Sequence, residues 1–160
     1  MKILSAAILI ACAPFSTASA QLGKDASYFC TTEVAGGLTY DVGMKKWKGT
    51  AFNADGKFVL RLKHLRTRAQ KSDFGETVYE YKVTITEAGS NLPYSCDNFS
   101  EENVTMTDLG WVRCNYALHE FKFNLNTNRF LTAYLDGYAD GKDNKKNTPS
   151  IEGGACTKID

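Results

Sequence analysis

Between Val78 and Thr86 the chain alternates without a break: Tyr79, Tyr81, Val83 and Ile85 fall on one side, Glu80, Lys82, Thr84 and Thr86 on the other. A period of two belongs to extended backbone, so this segment predicts a strand with one face on a core and the other in water. "KFVLRLKHL" repeats the pattern, with Phe58, Leu60 and Leu62 opposing Arg61 and Lys63, and so does "EFKFNL", with Phe121, Phe123 and Leu125 opposing Lys122 and Asn124. Turn formers separate the runs: Asp55-Gly56, Ala88-Gly89-Ser90-Asn91 and Asn126-Thr127-Asn128. Eight strands follow, at about 28–41, 46–53, 57–67, 77–87, 109–117, 119–125, 129–138 and 150–158, with Gly36-Gly37 marking a bulge or kink in the first. No window has the spacing of an amphipathic helix, and the connections around 68–76 and 88–108 are polar. The fold class is therefore all-β. Half-buried strands joined mostly by short turns predict an antiparallel meander that covers its apolar faces by closing into a small barrel or folding into a two-layer sandwich.

That topology bears on the cysteines. Residues 1–20, MKILSAAILIACAPFSTASA, carry a lone Lys2, an apolar run from Ile3 and the small triplet Ala18-Ser19-Ala20, the pattern of a secretory signal peptide. Leu9-Ile10-Ala11-Cys12 also resembles a lipoprotein processing box, in which Cys12 would carry the lipid. The run before Cys12 is short for that, and cleavage after Ala20 is favoured. The expectation is a single β domain over 21–160 in a periplasmic or secreted protein, where disulfides persist. Cys30, Cys96, Cys114 and Cys156 allow three pairings. An up-and-down barrel makes its first and last strands neighbours, which predicts Cys30–Cys156. Cys96–Cys114 would then tie the 88–108 connection to the fifth strand. No C-x-x-C occurs, so a zinc knuckle or thioredoxin-like site has no support.

The sequence has 19 Lys and Arg against 18 Asp and Glu, and loss of Lys2 with the signal peptide brings the two into balance. Such a chain has no global electrostatic attraction for nucleic acid, and its apolar leader is too short to be retained as a spanning helix. "LDGYADGKDNKKNTP", residues 135–149, raises the question of a calcium loop. From Asp136, EF-hand positions 1, 5 and 6 fit as Asp136, Asp140 and Gly141, but position 3 is Tyr138 and position 12 is Asn147. Lys142, Lys145 and Lys146 add positive charge, so a solvated strand connection is expected rather than a cation loop through Asp140, Asp143 and Asn144. Metal and cofactor are expected to be none.

His64 and His119 have no evident catalytic partner, since neither a G-x-S-x-G nor an H-E-x-x-H pattern is present. Both read as strand residues at the margin of the core. Lys57, Arg61, Lys63, Arg66, Arg68 and Lys71 form a basic strand and loop, read as a solvated face. Tyr28, Tyr40, Trp47, Tyr79, Tyr81, Trp111, Tyr116, Tyr134 and Tyr138 are spread along the strands, where core packing and pocket lining both have use for them.

"FCTTEVAGGLTYD", "KWKGTAF", "DGKFVLRL", "RFLTAYLDGY", "DNKKNTP" and "GGACTKID" resemble a group of small exported alphaproteobacterial proteins of no assigned function. The resemblance covers nearly all of the chain after the leader and implies a bacterial setting; it carries no catalytic or binding residues to transfer. In architecture the chain is similar to lipocalin-like barrels and to small disulfide-bonded lysozyme inhibitors, an analogy of form. The expectation is a non-enzymatic, monomeric binding or inhibitor-type barrel for a small ligand, an envelope component or a protein target. The alternative is an envelope-acting hydrolase using carboxylates of loops 72–76, 97–108 and 136–143.

Overall fold

The computed structural model describes residues 22–69, 77–98 and 102–160; the leader with Cys12, and Lys71, Asp73 and Glu76 of the expected basic and acidic loops, lie outside them. The strands are β1 (Ala26–Asp41), β2 (Lys46–Ala51), β3 (Lys57–Ala69), β4 (Thr77–Glu87), β5 (Tyr94–Cys96), β6 (Val104–Met106), β7 (Trp111–Tyr116), β8 (His119–Asn124), β9 (Arg129–Tyr134) and β10 (Ser150–Lys158). A single helical turn, α1, spans Asp136–Ala139. All eight strands expected from alternation and turn chemistry are present. β5 and β6 are too short for a period of two to show, and α1 replaces the expected end of the 129–138 strand.

One antiparallel sheet runs in the order β5-β4-β3-β1-β10-β9-β8-β7. β2 branches from the far half of β1, pairing Gly36 to Asp41 with Ala51 to Lys46, and β6 pairs the first half of β4. The first and last strands are neighbours, in a ladder from Tyr28–Lys158 to Gly37–Ser150 that shifts register between Thr32 and Val34. The sheet curls until residues on opposite sides touch: Tyr28 of β1 meets Phe123 of β8 edge-on at 5.0 Å, and Phe58 of β3 meets Phe130 of β9 at 4.9 Å.

The ladder does not close. Among the described residues its two ends meet at one bridge, where the Asp97 amide donates to the Asn115 carbonyl at 3.0 Å and the Asn115 amide returns a 2.7 Å bond. Cys96–Cys114 crosses that seam, and Cys30–Cys156 joins residues directly opposite in the β1–β10 ladder. All four cysteines are buried, inside a core built on Leu60, Val83, Ile85, Val112, Phe121 and Phe123.

Gly154 shows how tightly the interior is filled. A side-chain carbon there would lie 2.0 Å from the Thr31 carbonyl oxygen and 2.8 Å from the Phe130 ring, so only glycine lets these surfaces meet. At the end where β1 starts, Leu22 packs on the core and the Gly23 amide donates to the Tyr81 hydroxyl at 2.7 Å. Leu22 and Gly23 thus cover part of the core at that end.

Glu80 corrects the alternation reading. Placed on the water side by pattern, it is only 3 % exposed. β3 shifts register between His64 and Arg66, and this brings Arg66 (Nε to Oε2, 2.6 Å) and Arg68 (Nη2 to Oε1, 2.8 Å) over the Glu80 carboxylate. The basic strand is thus partly an ion-pair clamp, with Arg61 and Lys63 left on the exposed face. The hydrogen bond from Arg66 holds the Glu80 carboxyl below its ordinary value; desolvation opposes this, and the charges of Arg66 and Arg68 add to it. A carboxyl whose folded pKa is depressed stabilises the fold fully above its unfolded value, about 4.3, and loses that contribution as pH falls through the folded value. Glu80→Gln is therefore expected to flatten the decline of stability below about pH 4.3. Urea midpoints measured for both proteins from neutral to acid pH check this, and parallel curves would reject it.

Candidate functional site

Inward-facing positions are apolar through most of the sheet and turn polar at one end. Cys30, Ile85, Cys114, Phe121 and Phe130 face the core. Continuing each strand's phase by two residues toward the end where β4 and β7 finish brings Thr32, Glu87, Tyr116, His119 and Thr132, and from Cys156 the same phase passes Gly154 to reach Glu152. These six side chains line one recess of about 390 Å³ at the opposite end from Leu22, within the roughly 300–1,000 Å³ of small-molecule sites. Phe58 forms its floor, backed by Phe121 and Phe130, whose rings lie 5.9 and 4.9 Å from it. The rim is Asp55, Gly56, Lys57 and Ala88.

Local structure explains how the rim and walls are held. The Gly56 carbonyl accepts from the Thr32 amide at 2.8 Å, and a side-chain carbon on Gly56 would lie 2.6 Å from Thr32 Oγ1. Glycine thus allows the β2–β3 connection to lie against the mouth. Thr32 Oγ1 donates to Glu152 Oε2 at 3.3 Å, steadying the carboxylate across the β1–β10 ladder. Tyr116 and His119 face each other across the β7–β8 hairpin, their rings stacked at 5.4 Å. The His119 Nδ1–H donates to the Ala117 carbonyl at 3.0 Å, which leaves Nε2 as an acceptor in the neutral ring.

That hairpin turns on Ala117 and Leu118, with φ of 45° and 69°. A two-residue connection with both φ positive normally takes Asn-Gly, because side chains with a Cβ are strained there by roughly 1 kcal/mol or more each. The strain sits beneath the Tyr116–His119 pair. Leu118→Gly is expected to raise stability by about 1 kcal/mol, read as a higher urea midpoint at unchanged slope; an unchanged or lower midpoint would show that the turn is relaxed.

Two groups in the recess are perturbed by their surroundings. Burial pushes the Tyr116 phenol above its ordinary value, the nearby Thr132 hydroxyl offsets part of this, and the charges of Glu152 and Glu87 raise it further. Thr132 is 5 % exposed, and although its hydroxyl stands close to the Tyr116 phenol it meets no partner in hydrogen-bonding geometry. A buried hydroxyl left in this state destabilises by roughly 1–3 kcal/mol. Thr132→Val, equal in shape, is accordingly expected to stabilise the fold by about 1 kcal/mol. Thermal or urea unfolding checks this, and a destabilised variant would mean that the hydroxyl is satisfied.

Of the candidate residues singled out in the sequence, His119, Tyr116 and Lys57 line the recess. His64 does not: its Nε2 lies 2.9 Å from Thr67 Oγ1 and its ring packs edge-on to Tyr81, which with Tyr28 belongs to the core. Residues 135–149 dock on the projecting β1–β2 hairpin. Trp47 donates from Nε1 to Asp143 Oδ1 at 2.9 Å and meets Tyr138 edge-on at 5.5 Å. Asp140 accepts from the Lys142 amide and from Asn147 Nδ2, and Asn144 Oδ1 accepts from the Lys146 amide. These oxygens organise a turn, and among the described residues no three His, Cys, Asp or Glu side chains converge as a metal-binding group.

The described loop carboxylates Asp97, Glu102, Asp108, Asp136, Asp140 and Asp143 stay outside the recess; its acids are Asp55, Glu87 and Glu152. Sequence reasoning passed over Thr32, Glu87, Thr132 and Glu152. The signal that finds them is strand phase carried outward from buried Cys30, Ile85, Phe130 and Cys156. Among the described residues no helix is long and apolar enough to cross a membrane. Comparison of the chain with protein-family models, curated proteins and solved structures gives no match.

Proposed function

We propose that this chain is an exported, non-enzymatic binding module that takes a small ligand into the mouth of its curled sheet. The observation that carries this reading is the recess itself: an aromatic floor at Phe58 beneath walls of Thr32, Glu87, Tyr116, His119, Thr132 and Glu152. A few convergent polar groups over an apolar base are what orient a small molecule in a concave site. Export is supported by the leader-like residues 1–20 and by the two buried disulfides, bonds that last in an oxidising compartment.

Native mass spectrometry of the secreted or periplasmic protein tests the reading. A co-purifying mass released by denaturation and rebinding to the wild type supports it. Protein that carries no ligand and shows no mouth-specific shift with a fragment library argues against it. Glu87, Glu152 and His119 in one recess favour a second reading, hydrolysis of envelope material by a pair of carboxylates. Turnover of cell-wall fragments, lost in both Glu87→Gln and Glu152→Gln, would replace the first reading with the second.

A further inference from the structure

Resting on the mouth as a binding site, we infer that its ligand is a small organic ammonium: among the described residues, the recess joins three carboxylates without ion-pair partners to a buried threonine hydroxyl without a hydrogen-bond partner, over an aromatic floor. Asp55, Glu87 and Glu152 face a single lysine, Lys57, and among the described residues none of the four forms a salt bridge. Among the described residues the recess therefore holds an excess of negative charge, three carboxylates against one ammonium.

The uncharged groups point the same way. His119 Nε2 is an acceptor in the neutral ring because Nδ1–H is bonded to Ala117. Thr132 Oγ1 is buried in the recess wall beside the Tyr116 phenol, and among the described residues no group meets it in hydrogen-bonding geometry, so it adds an acceptor once the wall opens to a donor. The site is rich in acceptors and calls for a ligand rich in donors.

A bare metal ion fits poorly, since these carboxylates do not gather as a metal-binding group among the described residues. An ammonium on a carbon frame fits better. Its N–H groups meet the separated oxygens, while its apolar body lies on Phe58 and beside the Tyr116 ring, where a cation is also attracted to the π face. An anion of the same shape would meet the carboxylates with like charge.

Three probes of one shape and different charge test this on the oxidised protein: benzylammonium, benzyl alcohol and benzoate, followed by two-dimensional NMR at neutral pH. Benzylammonium is expected to shift Thr132, Tyr116 and His119 resonances and to bind about tenfold more tightly than benzyl alcohol, with benzoate weakest; tenfold corresponds to about 1.4 kcal/mol. Glu152→Gln and Glu87→Gln should each weaken benzylammonium by about two- to fivefold, in keeping with partly solvated ion pairs, and affect benzyl alcohol less. Thr132→Val should weaken benzylammonium as well.

If a glutamine variant fails to fold, added salt supplies the same information in the wild type, because screening weakens the cation and spares the alcohol. Benzyl alcohol or benzoate binding in the mouth as tightly as benzylammonium overturns the ammonium and leaves the binding reading standing. Shifts confined to another surface, or no shifts with any of the three, overturn both.

Discussion

Replacing Cys30 and Cys156 together by alanine is expected to lower stability by about 5 kcal/mol. The bond spans a sequence separation of 126. In the unfolded chain it removes nearly all of the freedom that separates the two ends, and the chain-entropy relation converts a loop of that length into this figure. Domains of this size are stable by only about 5–15 kcal/mol, so the variant should sit near the edge of folding at 37 °C.

The native contacts soften the loss without cancelling it. Nine residue pairs zip β1 to β10, and Cys30 and Cys156 are one of them, so the ladder keeps its register when the sulfurs go. The variant is therefore expected to reach the same folded structure with a lower midpoint and faster unfolding. Urea denaturation with a matching amide spectrum at low temperature checks both halves. A loss below about 2 kcal/mol would show that the unfolded ends stay associated without the bond, since the entropic account requires a freely separating reference state.

Much of this architecture could be read from the residues, and the limits of that reading have a physical cause. Alternation marks strands wherever one face is buried, which is why Val78–Thr86, Phe58–Leu62 and Phe121–Leu125 were legible. The same logic placed Cys30 beside Cys156 once the ends of a meander were brought together. It misplaced Glu80 because a register shift in β3 carries Arg66 and Arg68 over the strand's outer face, and a shift set by the partner strand leaves no trace in β4 itself. β5 and β6, at three residues each, owe their extended form to pairing with β4.

The mouth was hidden for a different reason. Phase alone puts Thr32 inward with Cys30, Tyr116 with Cys114 and Glu152 with Cys156. Whether those polar ends converge depends on strand order and stagger, which are properties of the assembled sheet. Polar residues on strands are common. Six of them around one recess is a tertiary fact.

Removal of the second disulfide, as Cys96→Ala with Cys114→Ala, is expected to cost less stability and to change behaviour more. The sequence separation is 18, for which the chain-entropy relation gives about 3 kcal/mol. The bond crosses the only interruption in the curled ladder, where one pair of backbone hydrogen bonds between Asp97 and Asn115 joins the edges among the described residues. Two such bonds contribute on the order of 1–3 kcal/mol together, too little to hold two strand edges against solvent once the sulfur link is gone. β7 and the β5 side of the sheet would then part locally, exposing unpaired backbone groups along Trp111–Tyr116 and Tyr94–Cys96. Open edges pair with other chains.

Three observations follow together for this variant. Amide exchange should accelerate across Val112–Tyr116 while the β1–β10 amides stay protected; self-association should grow with protein concentration; and the benzylammonium binding proposed for the mouth should weaken, because Tyr116 ends the freed strand and carries one wall of the recess. The Cys30–Cys156 variant, with its ladder intact, should show none of the three at temperatures where it is folded. If instead both variants lose protection uniformly and stay monomeric, the seam is held by side-chain packing around Val104, Met106 and Val112, and the disulfide there acts on the unfolded chain alone.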